Sequence, residues 1–304
     1  MGVHSATKTV VLALSVAAAA SLLTGCASSN NSAATNPSSS GVAKDNALHD
    51  MLPASIKSSG VLKVGTEAFY PPFEYLDTDN TTVIGLDMDL FNAIGTELGV
   101  KTEVTNMAFD GLLPALDGKR IDVVAAAMTD TKARQEKYDF VDYFLTGQGI
   151  VVLKGNPKHI SGISDLCGLT VAALDASVQQ TLLEGFNKKE CAAQPITVLA
   201  MAKDSDAILQ VQSGRAQASF SQDAVARFNV KSVGGGDKFE VANKQPLLPV
   251  VTGPMFTKAN SQLRDAVKAA VEKLITDGTY AEILKKNNVT SGEIPEVTIN
   301  GGTL

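Results

Sequence analysis

Short apolar runs alternate along this chain with stretches whose apolar residues recur at helical spacing. Residues 61–65 read as a β-run, and residues 87–98 place Leu90, Phe91, Ile94 and Leu98 on one helical face. A helix-like segment at 111–116 leads to a second apolar run at 123–127. The alternation resumes with a run at 170–174, a helix at 177–186, a run at 197–199, a helix at 205–212 and a run at 216–220. Residues 263–275 and 279–286 read as two further helices, broken by Asp277-Gly278. Such alternation predicts an α/β fold of parallel sheets with helices on both faces. Ligands bind such sheets outside the carboxyl ends of the strands.

The N-terminus follows a different pattern. Lys8 precedes an apolar run at 10–23, which ends in Leu23-Thr24-Gly25-Cys26. A basic start, a short apolar stretch and small residues at the cut predict a secretory signal over residues 1–25. The run is too short for a membrane span, which needs about 20 apolar residues. Its last four residues resemble the bacterial lipobox, whose cysteine becomes the lipidated first residue of the mature chain. The alternative is a buried N-terminal helix ending at Gly25, with Cys26 incidental. Residues 27–41 are Ser-, Asn- and Ala-rich, so 26–45 is expected to be a flexible tether. From there the chain is long enough for two modest lobes or one large domain.

Charge and cysteine content narrow the function classes. The formal charge is −6 for the whole chain and about −7 once Lys8 leaves with the signal. No basic patch with interleaved aromatics is present, which argues against nucleic acid as a partner. Cys167 and Cys191 remain in an oxidising compartment, where an even pair points to a disulfide; two buried free thiols are the alternative. The histidines are His4, His49 and His159, without the close ligand spacing of a metal centre. Neither a metal nor another cofactor is expected.

Several segments, in order, resemble the family 3 extracellular solute-binding proteins, the polar amino-acid receptors of ABC importers. Gly85-Leu86-Asp87-Met88-Asp89-Leu90-Phe91-Asn92-Ala93-Ile94 resembles the family signature. Thr66-Glu67-Ala68-Phe69-Tyr70-Pro71-Pro72-Phe73-Glu74 looks like its first ligand loop, and Phe109-Asp110-Gly111-Leu112-Leu113-Pro114-Ala115-Leu116 like the next loop and helix. Met128-Thr129-Asp130-Thr131-Lys132-Ala133-Arg134, followed by Asp139-Phe140, resembles the segment with the family's carboxylate-binding arginine. Ser213-Gly214-Arg215 and Asp277-Gly278-Thr279-Tyr280 match later landmarks. The resemblance implies a periplasmic-binding-protein-like fold of two α/β lobes joined by two hinge crossings. Lobe one would be residues 46–147 plus 250–304, and lobe two 148–249. The crossings would lie near 146–150 and 249–253; both contain glycine, which tolerates the φ/ψ changes of a hinge. The partners implied are an amino-acid-like ligand, membrane permease subunits and a lipid anchor, with the receptor itself monomeric.

The resemblance also implies a site. Arg134, which unaided reads as a surface arginine at a helix start, takes the role of a guanidinium fork for the ligand carboxylate. Thr129 matches a hydroxyl donor to that carboxylate, and the Ala127 carbonyl matches a contact to the ligand amine. The backbone around Ser177 and Val178 opens a helix whose N–H groups suit an anion. Relatives have Gly-Thr-Thr or similar there, whereas this chain has Ala176-Ser177-Val178, one hydroxyl fewer. Glu67 and Tyr70 face the cleft in relatives, and Phe109 matches a position that packs on the ligand. A second departure is sharper. Relatives commonly carry an ammonium-binding aspartate eight residues after the glycine of Gly214-Arg215, where this chain has Gln222, with Asp223 next. Either a one-residue shift lets Asp223 serve, or Glu67 carries the cation with Tyr70 and Phe109, or the ligand lacks a primary ammonium. Two other functions remain open: a cyclohexadienyl-dehydratase-like enzyme with Glu67 as acid or base, and a sensor or docking lipoprotein.

Overall fold

The computed structural model describes residues 42–304. The segments expected to be a signal and a tether lie, with Cys26 and as far as residue 41, outside the described residues. Among those described, no helix is long and apolar enough to cross a membrane.

Val61–Thr66 pairs in parallel with Lys101–Asn106 on one side and Val123–Val124 on the other. The full order of this first sheet is Thr298–Ile299, Tyr138–Asp142, Met255–Thr257, Val123–Val124, Val61–Thr66, Lys101–Asn106. Met255–Thr257 is antiparallel to both neighbours, so the sheet is mixed where the sequence pattern predicted a parallel one. The connection explains it. A parallel neighbour needs a crossover of a dozen or more residues. Only Gly253 and Pro254 separate this strand from Leu247–Thr252, which arrives alongside the outgoing strand.

The helices on this sheet follow from their spacing and caps. Leu86–Leu98 carries Asp87 and Asp89 in its first turn, where the helix dipole favours negative charge, and stops at Gly99 with φ of 62°. Ser261–Thr276 buries Leu263, Ala266, Val267, Ala270, Val271 and Leu274, an i, i+3, i+4 stripe facing the core. Thr279–Lys286 packs against it after Gly278 turns the chain at φ of 87°. The apolar run at 123–127 is a strand only through Val124. Ala125, Ala126 and Ala127 stay buried but leave the sheet, and Ala127 adopts φ of 44°.

The second lobe's sheet runs Thr197–Met201, Thr170–Leu174, Ala218–Gln222, Phe144–Leu153, Phe239–Val241. Its core gathers Ile150, Val152, Val171, Ala173, Ala218 and Phe220 on one face. Cys167 and Cys191 form a disulfide with Cα atoms 5.0 Å apart, tying the start of Thr170–Leu174 to the end of helix Val178–Phe186.

Phe144–Leu153 begins in the first lobe's core and ends in the second's. Leu247–Thr252 returns beside it, with Val250 opposite Thr146, Val251 opposite Leu145 and Thr252 opposite Phe144. The glycines here answer to space rather than to backbone freedom. A Cβ at Gly147 would lie 2.6 Å from the Leu247 carbonyl oxygen, and one at Gly253 would collide with that of Val141.

Candidate functional site

Between the lobes lies a narrow, largely filled cavity. Lobe one contributes Glu67, Tyr70, Glu74, Phe109 and Arg134, together with residues 126–129 where the chain leaves the sheet. Lobe two contributes Leu174, Ser177, Val178, Gln179 and Gln222, all at strand ends or in the first turn of the following helix. Parallel strands in each lobe thus aim their carboxyl ends at one space.

Arg134 sits in the short helix Lys132–Gln135, capped by Thr131, whose hydroxyl oxygen accepts the Arg134 backbone N–H at 3.3 Å. Its Nη1 donates to the Thr129 carbonyl at 2.9 Å. No carboxylate among the described residues is salt-bridged to it. Burial pulls the guanidinium down to about 10, against the opposing attraction of Asp130. The corner is held from behind by the C-terminal segment. The Gln135 amide donates to Asp130 and to the carbonyls of Asn300 and Gly302, while the Gly302 N–H donates to Asp130 at 2.7 Å.

Ser177 caps helix Val178–Phe186, accepting the Gln180 N–H at 3.1 Å and donating to the Leu174 carbonyl at 2.6 Å. Its hydroxyl is thereby committed. What this segment offers the cavity is the first-turn backbone, whose N–H groups have no partner within the helix.

Gln222 and Asp223 part ways. Gln222 ends strand Ala218–Gln222 with its side chain toward the cleft, where Nε2 donates to the Ala127 carbonyl at 2.7 Å and to Thr129 Oγ1 at 3.3 Å. Its backbone N–H donates to Tyr70 Oη at 3.2 Å. A carbonyl can only accept, so the amide must turn its NH₂ to Ala127. That leaves Oε1 buried without a hydrogen-bond partner. Asp223 opens the next helix and belongs to a different groove, where its Oδ2 accepts from Arg227 Nε at 2.6 Å. The shift that would have let Asp223 face the ligand is not what the fold does, because successive residues at a strand end point to opposite sides.

Behind the cavity the polar groups are acidic. Glu67 is 2% exposed, and neither of its carboxylate oxygens has a hydrogen-bond partner. Burial raises it to about 7, offset in part by the Phe69 N–H and Lys203. Glu74, beside it, is raised well above the usual carboxylate range by burial and then by the charges of Asp87 and Glu67. Asp87 accepts the Ala127 N–H at 3.0 Å and the Tyr143 hydroxyl, so it pins the left-handed Ala127 from within. Phe109 heads a short 3₁₀ turn and lines the wall.

Sequence reasoning missed Glu74 and Gln179. Glu74 stood in a quoted motif, but nothing local showed that it would be buried with one oxygen bare. Gln179 donates to Gln148 Oε1 at 2.7 Å, a contact across 31 residues with no periodic signature. Among the described residues, no three His, Cys, Asp or Glu side chains gather as metal ligands.

Two lobes enclosing a cavity walled by strand ends, with an arginine corner and a helix start facing each other, suit capture of a small anion-bearing molecule. Residues 62–289 match the bacterial extracellular solute-binding proteins, family 3. The chain belongs to that family. This family 3 protein is similar to the L-cystine-binding protein TcyA of Bacillus subtilis (strain 168), with 31% identity over 281 residues, 92% of this chain and 97% of TcyA. Its fold is similar to that of a mutant ArgBP from T. maritima, at TM-score 0.71 and 31% identity, covering 79% of this chain and 99% of that one. It is also similar to the ancestral amino acid-binding protein AncCDT-1, a precursor of cyclohexadienyl dehydratase, at TM-score 0.68 and 30% identity, covering 77% and 97%.

Proposed function

We propose that this protein is the receptor of an ABC importer and that it closes its two lobes around an α-amino acid or a close relative of one. The observation that carries this reading is Arg134: a desolvated guanidinium at the cavity wall, with a carbonyl partner but no carboxylate among the described residues. A free carboxylate is the group that guanidinium is shaped to receive. Thr129 and the backbone N–H of Val178, both on the cavity lining, would add hydrogen bonds to it. The ligand's ammonium would meet the Ala127 carbonyl and the bare Oε1 of Gln222. A neutral amide acceptor there, instead of a carboxylate, leaves the net charge of the α-amino group for Glu67 to balance. Tyr70 and Phe109 would cover the ligand's apolar body.

TcyA and ArgBP are named for amino-acid ligands, which favours binding over the dehydratase alternative. Membership in the transport family favours a permease partner over a sensor role. A lipid anchor at Cys26 rests on the Leu23–Cys26 motif alone, so Cys26→Ser should release the protein from membranes without altering ligand affinity; undiminished membrane retention would refute the anchor.

The test of function is a thermal-shift screen of amino acids and derivatives, followed by titration calorimetry, since the chain has no tryptophan to report binding. A saturable raise in midpoint without turnover of the bound compound is expected. No response to any α-amino acid, or steady conversion of one, would overturn the reading.

A further inference from the structure

Arg134 sits in a helix of only four residues, Lys132–Gln135, and a single turn does not hold its shape by itself in water. Residues 298–304 hold it. Thr298–Ile299 joins the edge of the first sheet, opposite Asp142 and Val141, and residues 300–304 then run along the turn. The Lys132 N–H, at the helix start and without a partner inside the helix, donates to the Leu304 carbonyl at 2.9 Å. At the other end of the turn, the Gln135 amide donates to the carbonyls of Asn300 at 3.1 Å and Gly302 at 2.9 Å. Two buried carboxylates take two successive backbone N–H groups of the segment: Asp142 accepts from Gly301 at 2.8 Å, and Asp130 from Gly302 at 2.7 Å. Asp130 also accepts from Gln135 at 2.8 Å, so one carboxylate ties the segment to the helix. Gly302 is packed so closely that a Cβ there would collide with the Asp130 backbone oxygen. Leu304 lines the groove that Thr131, Ala133 and Arg134 border.

The guanidinium itself makes a single side-chain hydrogen bond among the described residues, to the Thr129 carbonyl, so its aim depends on where the turn is held. A planar fork meets both oxygens of a carboxylate only when its position is fixed to within about 0.5 Å and its angle to within about 10–20°. We propose that residues 300–304 are a positioning element for Arg134, acting through Asp130 and Gln135, and that the grip on the ligand's carboxylate depends on them. Neither that segment nor Asp130 nor Gln135 lines the cavity, so their effect on binding reaches it through the turn that carries Arg134. The segment lies beyond residues 62–289, the part that matches family 3, so this brace on the arginine comes from outside the matched part. The proposal rests on the reading of Arg134 as the carboxylate's partner and adds what holds that arginine in place.

The probe is whichever of the standard L-amino acids and L-cystine raises the thermal midpoint most, set against its primary amide in titration calorimetry. Gln135→Met cuts the contacts to Asp130, Asn300 and Gly302 without shortening the chain, and removal of residues 301–304 takes away the brace itself. Each change should weaken binding of the amino acid about tenfold, the equivalent of a hydrogen bond or two lost at the corner, and alter that of the amide by less than about threefold. In the Arg134→Ala background neither change should cost more, because effects that act through one group are not additive. Unfolding midpoints are recorded for both variants, and Gln135→Met decides if the shortened protein does not fold. Unchanged affinity in Gln135→Met would overturn the proposal while leaving amino-acid capture intact. So would a loss that is equal for amino acid and amide, or one that persists in the Arg134→Ala background, since either marks a merely structural segment. Binding of none of the probes, or binding indifferent to Arg134→Ala, would overturn the carboxylate reading and this proposal with it.

Discussion

Replacing Arg134 with alanine removes the guanidinium that the structure leaves unpaired at the cavity wall. A buried carboxylate stripped of its cation costs about 3–5 kcal/mol. Arg134 also borders an open groove of about 400 Å³ beside Thr131 and Leu182, so water can reach the ligand carboxylate in its absence. The low end of that range then applies, about 3 kcal/mol, which is roughly a hundredfold in affinity. Arg134→Lys keeps the charge but loses one arm of the fork, a charged hydrogen bond of about 1.5 kcal/mol, and should weaken binding about tenfold. Titration calorimetry should compare the amino-acid ligand with its primary amide, which presents the same shape without the negative charge. The amide should bind the wild-type protein weakly, and Arg134→Ala should change that affinity by less than about threefold. If both ligands lose affinity equally, Arg134 acts through packing and the carboxylate assignment falls.

Three further outcomes follow from named contacts. Gln222→Ala removes Nε2 hydrogen bonds linking the lobes, each worth about 1 kcal/mol, so small-angle scattering of the ligand-free protein should show a wider form and binding should weaken about tenfold. Glu67 and Asp204 both titrate near 7, raised chiefly by burial, with Glu74, Tyr70 and Lys203 as the other ionisable groups around them. They are neutral below that value in the folded protein, so stability of the ligand-free protein in denaturant unfolding should be full below the ordinary carboxylate range and decline as pH climbs to about 7. Cys167→Ser with Cys191→Ser opens a loop with a sequence separation of 24 and should lower stability by about 3 kcal/mol in denaturant unfolding; unchanged stability would show that the disulfide contributes nothing.

Local pattern carried the helices and most strands, because burial of one face leaves a period in the sequence wherever it occurs. Helices at Ser261–Thr276 and Thr279–Lys286 fall where the apolar spacing placed them, and the break at Asp277-Gly278 is written in the residues themselves. The order of motifs carried the family, and Cys167 and Cys191 carried their pairing. Other features had no local trace. The first sheet is mixed because the returning crossing enters it after two residues, a property of how distant segments meet. Gln222 faces the cleft and Asp223 does not because the strand ends between them and the helix begins. Gln222 binds Ala127 across 95 residues, and only that contact leaves one amide oxygen bare inside the cavity. The same holds for Glu67 and Glu74. Each is an ordinary acid in the sequence, and only the assembled cleft buries both on one wall with carboxylate oxygens that no group among the described residues meets, because burial is set by segments far apart in the chain.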